Sequence, residues 1–173
     1  MLNSVNNFES SFDDQLISAD QAVLLARELA KSATSPVVIA DPQDNPGAGA
    51  TGDSTGLLAT FLKHKVPALF GVFWDPKAAE LCHRAGKGNE ITISLGGKFP
   101  NDNGPALEVT GLVKNISNGQ FTCTGPMFLN VKANLGKMAA LHLDLEDGKE
   151  LIIVIGSNRA QNADQAFFRH LGY

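Results

Sequence analysis

Cysteine is scarce in this chain and positive charge is not in surplus; each shortage closes off a class of protein. Cys82 and Cys123 are the only cysteines, and they lack the close paired spacing of a zinc site. A lone disulfide and two separate buried thiols both fit that count. The second is the expectation, because a free cysteine packs as a small apolar side chain and a reducing compartment keeps it free. The formal net charge of -4 at pH 7 leaves no basic footprint, which argues against nucleic acid as a partner. No apolar run approaches the roughly 20 residues of a membrane span. The first residues, "MLNSVNNFESSFDDQ", have neither the basic region nor the apolar segment of a leader, so the expected compartment is cytoplasmic, with no membrane partner. No internal repeat, low-complexity tract, H-E-x-x-H pair or G-x-S-x-G elbow occurs, and neither Ser54 nor Ser157 has an evident base.

What is present reads as one globular domain. With 173 residues, 43% apolar and 18% charged, the chain is long enough for one core and short for two. Residues 1–17 are polar, with Phe8 and Phe12 as anchors, and are expected to be an arm or linker remnant. Residues 18–173 form the domain. "SADQAVLLARELAKSA" predicts a helix opened by a Ser18-x-x-Gln21 capping box, with an apolar face of Ala22, Leu25, Ala26 and Leu29. "SPVVIAD" predicts a short strand buried on both faces. A helix capped by Asp53 or Ser54 then runs to about His64, "VPALFGVFWD" predicts a second buried strand, and Asp75-Pro76 opens a helix closed by Gly86. Past "NEITISLGG" the apolar period shortens to two. "ALEVTGLVKNI" and "QFTCTG" predict a hairpin through Asn118-Gly119, and "KMAALHLDL" and "LIIVIGS" a second one through "EDGKE". A last helix follows in "NADQAFFRHLGY". The expected fold is α/β: a single domain with a mixed, partly parallel sheet, flanked by helices and two hairpins.

Between the first two predicted strands lies "ADPQDNPGAGATGDST". Gly47, Gly49 and Gly52 spell the dinucleotide fingerprint, and Gly47 to Ser54 spell a P-loop with Asp53 in place of lysine. The nucleotide reading, with Asp75 as the ribose acid, meets three objections. "DPQDNP" displaces the glycines from the strand end. Asp53 places negative charge where a phosphate needs positive potential. Asp41 and Asp44 add two more carboxylates, and the loop has no lysine. A purely structural reading makes Asp53 a helix cap and Asn45-Pro46-Gly47 a tight turn. A third reading has the acids and amides hold a cation, a ligand histidine or a substrate amide.

"DNPGAGATGDST" resembles the hallmark "DNPGGGAPGD" segment of the C-terminal domain of the microcystinase C (MlrC) family of metallopeptidases. "WDPKAAELCHRAGKGNEITISLGGK", "GPALEVTGLVKNISNGQFTCTGPM", "LGKMAALHL" and "SNRAQNADQAFFRHLGY" extend the likeness, in the same order, from about Ser18 to the last residue. The resemblance implies a two-domain, metal-dependent hydrolase whose zinc and catalytic residues lie mainly in a preceding N-terminal domain. It implies no cofactor, metal ligand or catalytic residue within this chain. The partner it implies is that N-terminal metal-binding domain, in the same or a separate chain; a homo-oligomer stays open. Family members continue past "FFRHLGY" with a segment bearing a Lys-Ser pair, so the chain is expected to be an excised domain or split-gene product, inactive alone. A non-catalytic module binding a small ligand or partner is the alternative, and a nucleotide-binding oxidoreductase the third.

The remaining candidate groups are assigned bland roles. His64 at a helix C-terminus and His83 within a helix are expected on the surface, His142 on the solvent face of its strand, and Lys98 as a solvated lysine or an anion contact. If "LIIVIG" runs parallel to "PVVIAD", both C-terminal ends emerge on the sheet edge where ligands gather. "SNRAQ" then faces the glycine loop, with Arg159 near Asp44 or Asp53. The expected substrate-binding or site-shaping residues are therefore Asp41, Asp44, Asn45, Gly47, Gly49, Asp53 and Thr55 with Ser157, Arg159 and Gln161.

Overall fold

The computed structural model describes residues 16–99 and 104–173; most of the expected N-terminal arm, including Phe8 and Phe12, lies outside them. Helix α1 (Ala19–Leu29) opens with the expected capping box. Ser18 accepts from Gln21 N, and the Gln21 side chain accepts from Ser18 N. Helix α2 (Gly56–His64), strand β1 (Ala68–Trp74) and helix α3 (Pro76–Ala85) follow. Asp75 caps α3 through Ala78 N, with Pro76 in the first turn and Gly86 closing the helix. Then come β2 (Glu90–Leu95), β3 (Leu107–Ser117), β4 (Gln120–Thr122), β5 (Lys132–Asn134), β6 (Met138–Asp144), β7 (Glu150–Gly156) and the short α4 (Ala166–Arg169).

Five strands form one mixed sheet in the order β1-β7-β6-β3-β2, while β4 and β5 form a separate ribbon. β1 and β7 run parallel; every other pair in the large sheet is antiparallel. Alternate residues of the central strands serve two cores, as the period-2 geometry of a strand dictates. Ala139, Leu141, Ile153 and Ile155 face a core built with α1, α2 and α3. Met138, Ala140 and Val154 face a second one, closed by Leu135, Phe167 and Leu171. Burial on both faces explains the unbroken apolar reading of "LIIVIG".

The structure corrects several sequence expectations. Residues 36–41 form no strand, and Val38 is 86% exposed. The place beside β7 expected for "PVVIAD" is taken by β1, and β6 fills the other side, so no edge of β7 is left. The expected β3–β4 hairpin does not form: Asn118 Oδ1 accepts from Gln120 N, but β3 and β4 do not pair. β2 pairs with Leu107–Leu112 of β3 and β6 with Leu112–Ser117, while β4 pairs with β5. The β6–β7 hairpin forms as expected, with Asp144 opposite Glu150. Thr55, not Asp53 or Ser54, is the N-cap of α2, without a side-chain capping bond. Helix α1 buries Val23 and Ala26, whereas Leu25 and Leu29 are half exposed. Cys82 and Cys123 are separate buried thiols.

None of the histidines is a free surface group. His64 Nε2 lies 2.6 Å from Asp20, whose carboxylate also takes Lys63 Nζ at 2.7 Å, tying the start of α1 to the end of α2. His83 Nε2 lies 3.0 Å from the Met138 carbonyl oxygen. His142 is on the covered face of β6, its side chain only 10% exposed, with Nδ1 3.2 Å from the Glu150 carboxylate. Its Nε2 is in hydrogen-bond contact with the Tyr173 hydroxyl, so the C-terminal residue shields it. His170 stacks on Phe121 with ring centroids 4.7 Å apart.

Burial pushes His142 below the ordinary imidazole value, helped by Lys114 and opposed by Glu150, and burial does the same to His170. A histidine whose folded pKa is depressed contributes stability that is complete above its unfolded pKa, about 6.5. That contribution is lost as pH falls through the folded values, because only the unfolded chain takes up the proton readily. Thermal unfolding between pH 7.5 and 5.5 should therefore show a falling midpoint. An NMR titration should place His142 below 6.5, and Tyr173→Ala should move it back up. An unshifted His142 in both proteins would refute the shielding.

Candidate functional site at the C-terminal edge of the parallel strands

The glycine loop is organised around a carboxylate of its own. Asp44 Oδ1 accepts from Gly52 N at 2.6 Å, and Asp44 Oδ2 accepts from Ser54 N at 2.9 Å and Ser54 Oγ at 2.6 Å. The N–H groups that a bound phosphate would require thus point at Asp44, which removes the basis for the nucleotide reading. Asn45 Oδ1 accepts from Gly47 N and caps a single 3-10 turn, Pro46–Ala48, which Gly49 closes with φ of 96°. Asp41 closes a small turn by accepting from Gln43 N at 3.0 Å.

Hydrogen bonds sew this loop to the sheet. Trp74 N, at the end of β1, donates to Gly52 O at 2.7 Å, and Asp75 N donates to Gly156 O at 3.1 Å. Asp53 is fully buried. Its Oδ2 accepts from Lys98 N at 2.8 Å and its carbonyl from Gly97 N at 2.9 Å. Its Oδ1 is buried with no hydrogen-bond partner among the described residues. Asp75, also buried, accepts from Gly96 N at 3.0 Å and lies 3.2 Å from Lys98 Nζ. Lys98 is therefore an internal counter-ion rather than a solvated lysine or an anion contact, and Asp75 is a cap and a clamp rather than a ribose acid. Gly96 is required here: its φ is +63°, and a Cβ would sit 2.5 Å from the Asp53 carbonyl oxygen. Thr55 Oγ1 donates to Pro105 O at 2.8 Å.

The second wall comes from the chain leaving β7. Ser157 Oγ donates to Lys137 O at 3.0 Å, and the Trp74 indole N–H donates to Ser157 O at 3.0 Å. The Arg159 guanidinium lies 4.4 Å from the Trp74 ring centre, and Phe99 stacks near parallel on the same indole at 5.9 Å. Gln161 reaches Gly47, where a Cβ would meet its Oε1 at 2.4 Å. The loop and "SNRAQ" thus converge on one edge, although the parallel partner of β7 is β1 rather than residues 36–41. Arg159 forms no ion pair with Asp44 or Asp53. Those carboxylates have other partners, and the guanidinium rests on the indole beside Gly52. Sequence reasoning missed Trp74 and Phe99. The sole tryptophan of the chain, at a strand end before Asp75-Pro76, was the available signal.

Metal binding does not fit this edge alone. Among the described residues no three of His, Cys, Asp and Glu are grouped so as to hold a metal ion, and every oxygen of Asp44 and Asp75 is engaged internally. Both cysteine thiols are pushed up by burial, Cys82 to about 11, which disfavours the thiolate a metal requires. No helix among the described residues is long and apolar enough to cross a membrane.

The arrangement defines an α/β domain with a mixed sheet, presenting a rigid carboxylate-centred loop and an indole-supported guanidinium at one sheet edge. A sequence model of the MlrC C-terminus family matches residues 39–173, and the chain belongs to that family. It is 42% identical over 96 residues to Microcystinase C of a Sphingomonas species, an alignment covering 52% of this chain and 19% of that protein. In fold it is similar to the crystal structure of a "Putative metallopeptidase" from Mesorhizobium sp. BNC1. The TM-score is 0.83 and the sequence identity 23%, over 98% of this chain and 33% of the other. The chain thus spans a third or less of the length of these two relatives.

Removing the Asp44 carboxylate leaves two loop N–H groups and a hydroxyl without their acceptor. Asp44→Ala should lower stability by about 2–3 kcal/mol in urea unfolding, with Asp44→Asn recovering part of it. Titration calorimetry of the unaltered chain with ATP or a nicotinamide dinucleotide should show no heat of specific binding. A micromolar dissociation constant would overturn the reading of Asp44 as the anion of this loop.

Proposed function

We propose that this domain shapes one wall of the active site of a metal-dependent peptide or amide hydrolase, with zinc held by residues outside this chain. The reading draws on family membership and on the printed names of the two relatives, Microcystinase C and a "Putative metallopeptidase". The observation that carries it is Arg159. Its guanidinium is stacked on Trp74 at the edge where the glycine loop meets "SNRAQ", and it has no carboxylate partner among the described residues. An exposed arginine with an aromatic support and no counter-ion is preorganised for an anionic or strongly polar oxygen of a ligand. The amides of Gln161 and Asn45 meet at Gly47 and supply neutral polar groups to the same loop. The internal pairs Asp44 with the loop N–H groups and Asp75 with Lys98 hold this wall rigid, which is what substrate positioning needs. In this reading a metal held outside this chain would supply Lewis-acid chemistry for hydrolysis, and the residues described here bind and orient the substrate.

On this proposal the isolated chain hydrolyses no peptide or amide, because the reaction is metal-dependent and among the described residues no three of His, Cys, Asp and Glu are grouped so as to hold a metal ion. Peptidase assays of the purified chain with added zinc should show no turnover above buffer. When the chain is assembled with the metal-bearing portion of a family member, Arg159→Ala should lower kcat/KM by at least about 10-fold, roughly 1.4 kcal/mol in transition-state binding. The melting temperature should stay unchanged. Lost turnover accompanied by lost stability would make Arg159 a structural clamp instead. Metal-dependent turnover by the chain alone would refute the proposal.

A further inference from the structure

Residues 37–40, Val-Val-Ile-Ala, have the composition of a buried strand and lack a strand's partner. Among the described residues none of their backbone N–H or C=O groups makes a hydrogen bond. Their exposure alternates as in a strand with one covered face. Val37 and Ile39 are half-buried, with Ile39 packed against the main core, while Val38 and Ala40 face outward. Pro36 and Pro42, which cannot donate, bracket the run and limit pairing to the residues between them. The run carries no charge. An edge meant to stay in water is usually blunted by lysine, a bulge or a covering element, because unpaired backbone beside apolar side chains templates strand addition.

A groove of about 620 Å³ opens alongside, walled by this run and by α1, with Ala22 and Leu57 among its lining. Leu25 and Leu29 of α1, which a solitary domain would turn inward, stand 51% and 50% exposed on it. Unpaired backbone and exposed apolar wall are independent observations, and both point to a missing neighbour. Asp41, Gln43 and Ser54 line the same groove, so it adjoins the Asp44 loop.

We propose that this groove and the 37–40 backbone receive a β-strand with alternate apolar side chains. The strand comes from the portion of the family polypeptide outside the span of this chain. About two thirds of the Mesorhizobium protein lies outside that span, since the chain covers 33% of it, which leaves ample polypeptide to supply the strand. The proposal rests on the reading that another portion completes the enzyme, and it adds the contact surface. Main-chain pairing supplies affinity, and the pocket between Val38 and Leu25 selects an apolar side chain. A strand seated there ends beside the glycine loop and carries its own residues to the edge that bears Arg159.

Backbone amide exchange tests this without measuring turnover, so its failure and that of the proposed function are distinguishable. Amides 37–40 of the intact chain in dilute solution should exchange at nearly unprotected rates. In the full-length Mesorhizobium protein the matching amides should exchange at least about 100-fold more slowly, and on alternate residues, because one edge of a strand donates every second N–H. Equally fast exchange in the full-length protein overturns the proposal. Protection already present in the chain alone also overturns it, and two controls then identify the occupant. Protection lost on dilution assigns the groove to a second copy, and protection lost in the Phe8→Asp, Phe12→Asp variant assigns it to the chain's own N-terminal residues.

Discussion

With β7 paired along both edges and covered on both faces, the end of that strand has very little freedom, and the candidate site inherits this rigidity. β1 lies parallel to it and β6 antiparallel, so β1 and β7 finish together. Gly156 O accepts from Asp75 N, and the next residue offers its carbonyl to the Trp74 indole. Two segments far apart in sequence are therefore held at one place by a handful of directional bonds. A one-residue slip of β7 would turn its apolar set to the wrong face and carry Arg159 away from the indole as well.

Charge in the loop follows a consistent logic. Three acids and no lysine look unfavourable in a glycine loop, until each carboxylate is traced to its partner. Asp44 accepts two backbone N–H groups and a hydroxyl, Asp41 closes a turn, and Asp53 accepts from the backbone at Lys98. Buried carboxylates are tolerable when donors meet them; Asp53 has such a donor on Oδ2, and its Oδ1 has none among the described residues. The ammonium of Lys98 goes to Asp75, while Arg159 has no carboxylate partner among the described residues and rests on Trp74.

The two apolar features that the domain does not satisfy lie together. The groove beside α1 and the unpaired run before the loop are on the side from which the glycine loop is approached. The opposite face of the sheet is closed from within by the β4–β5 ribbon and α4, where Asp164 anchors the backbone of Ala166 and Gly125. Those hydrogen bonds, led by the one from Ala166, hold the Asp164 carboxyl below its usual range. One face is thus closed by the β4–β5 ribbon and α4, and the other by α1, α2 and α3, with Leu25 and Leu29 of α1 half exposed.

Local chemistry alone made part of this legible. The Ser18–Gln21 box, the Asp75-Pro76 start, the Gly86 stop and the "EDGKE" hairpin each depend on residues within a few positions of one another, and short-range hydrogen bonding decides them. The ordered motifs from "DNPGAGATGD" to "SNRAQ" likewise carried the family. What sequence could not settle was competition for partners. "PVVIA" and "ALFGV" are equally apolar, yet β7 has one free edge, and only the folded sheet shows that β1 takes it. β4 follows β3 through Asn118-Gly119 yet pairs with β5, a choice between partners that no local residue shows. His142 reads as solvent-facing in an alternating strand, until Tyr173 folds back over it. Arg159 lies on the edge that the parallel rule expects, beside Gly52, but its guanidinium rests on the face of Trp74 and forms no ion pair with the carboxylates that backbone N–H groups engage. Capping and turn formation are local free energies written into neighbouring residues; strand pairing and side-chain partnership are choices among distant alternatives, made only when the whole core closes.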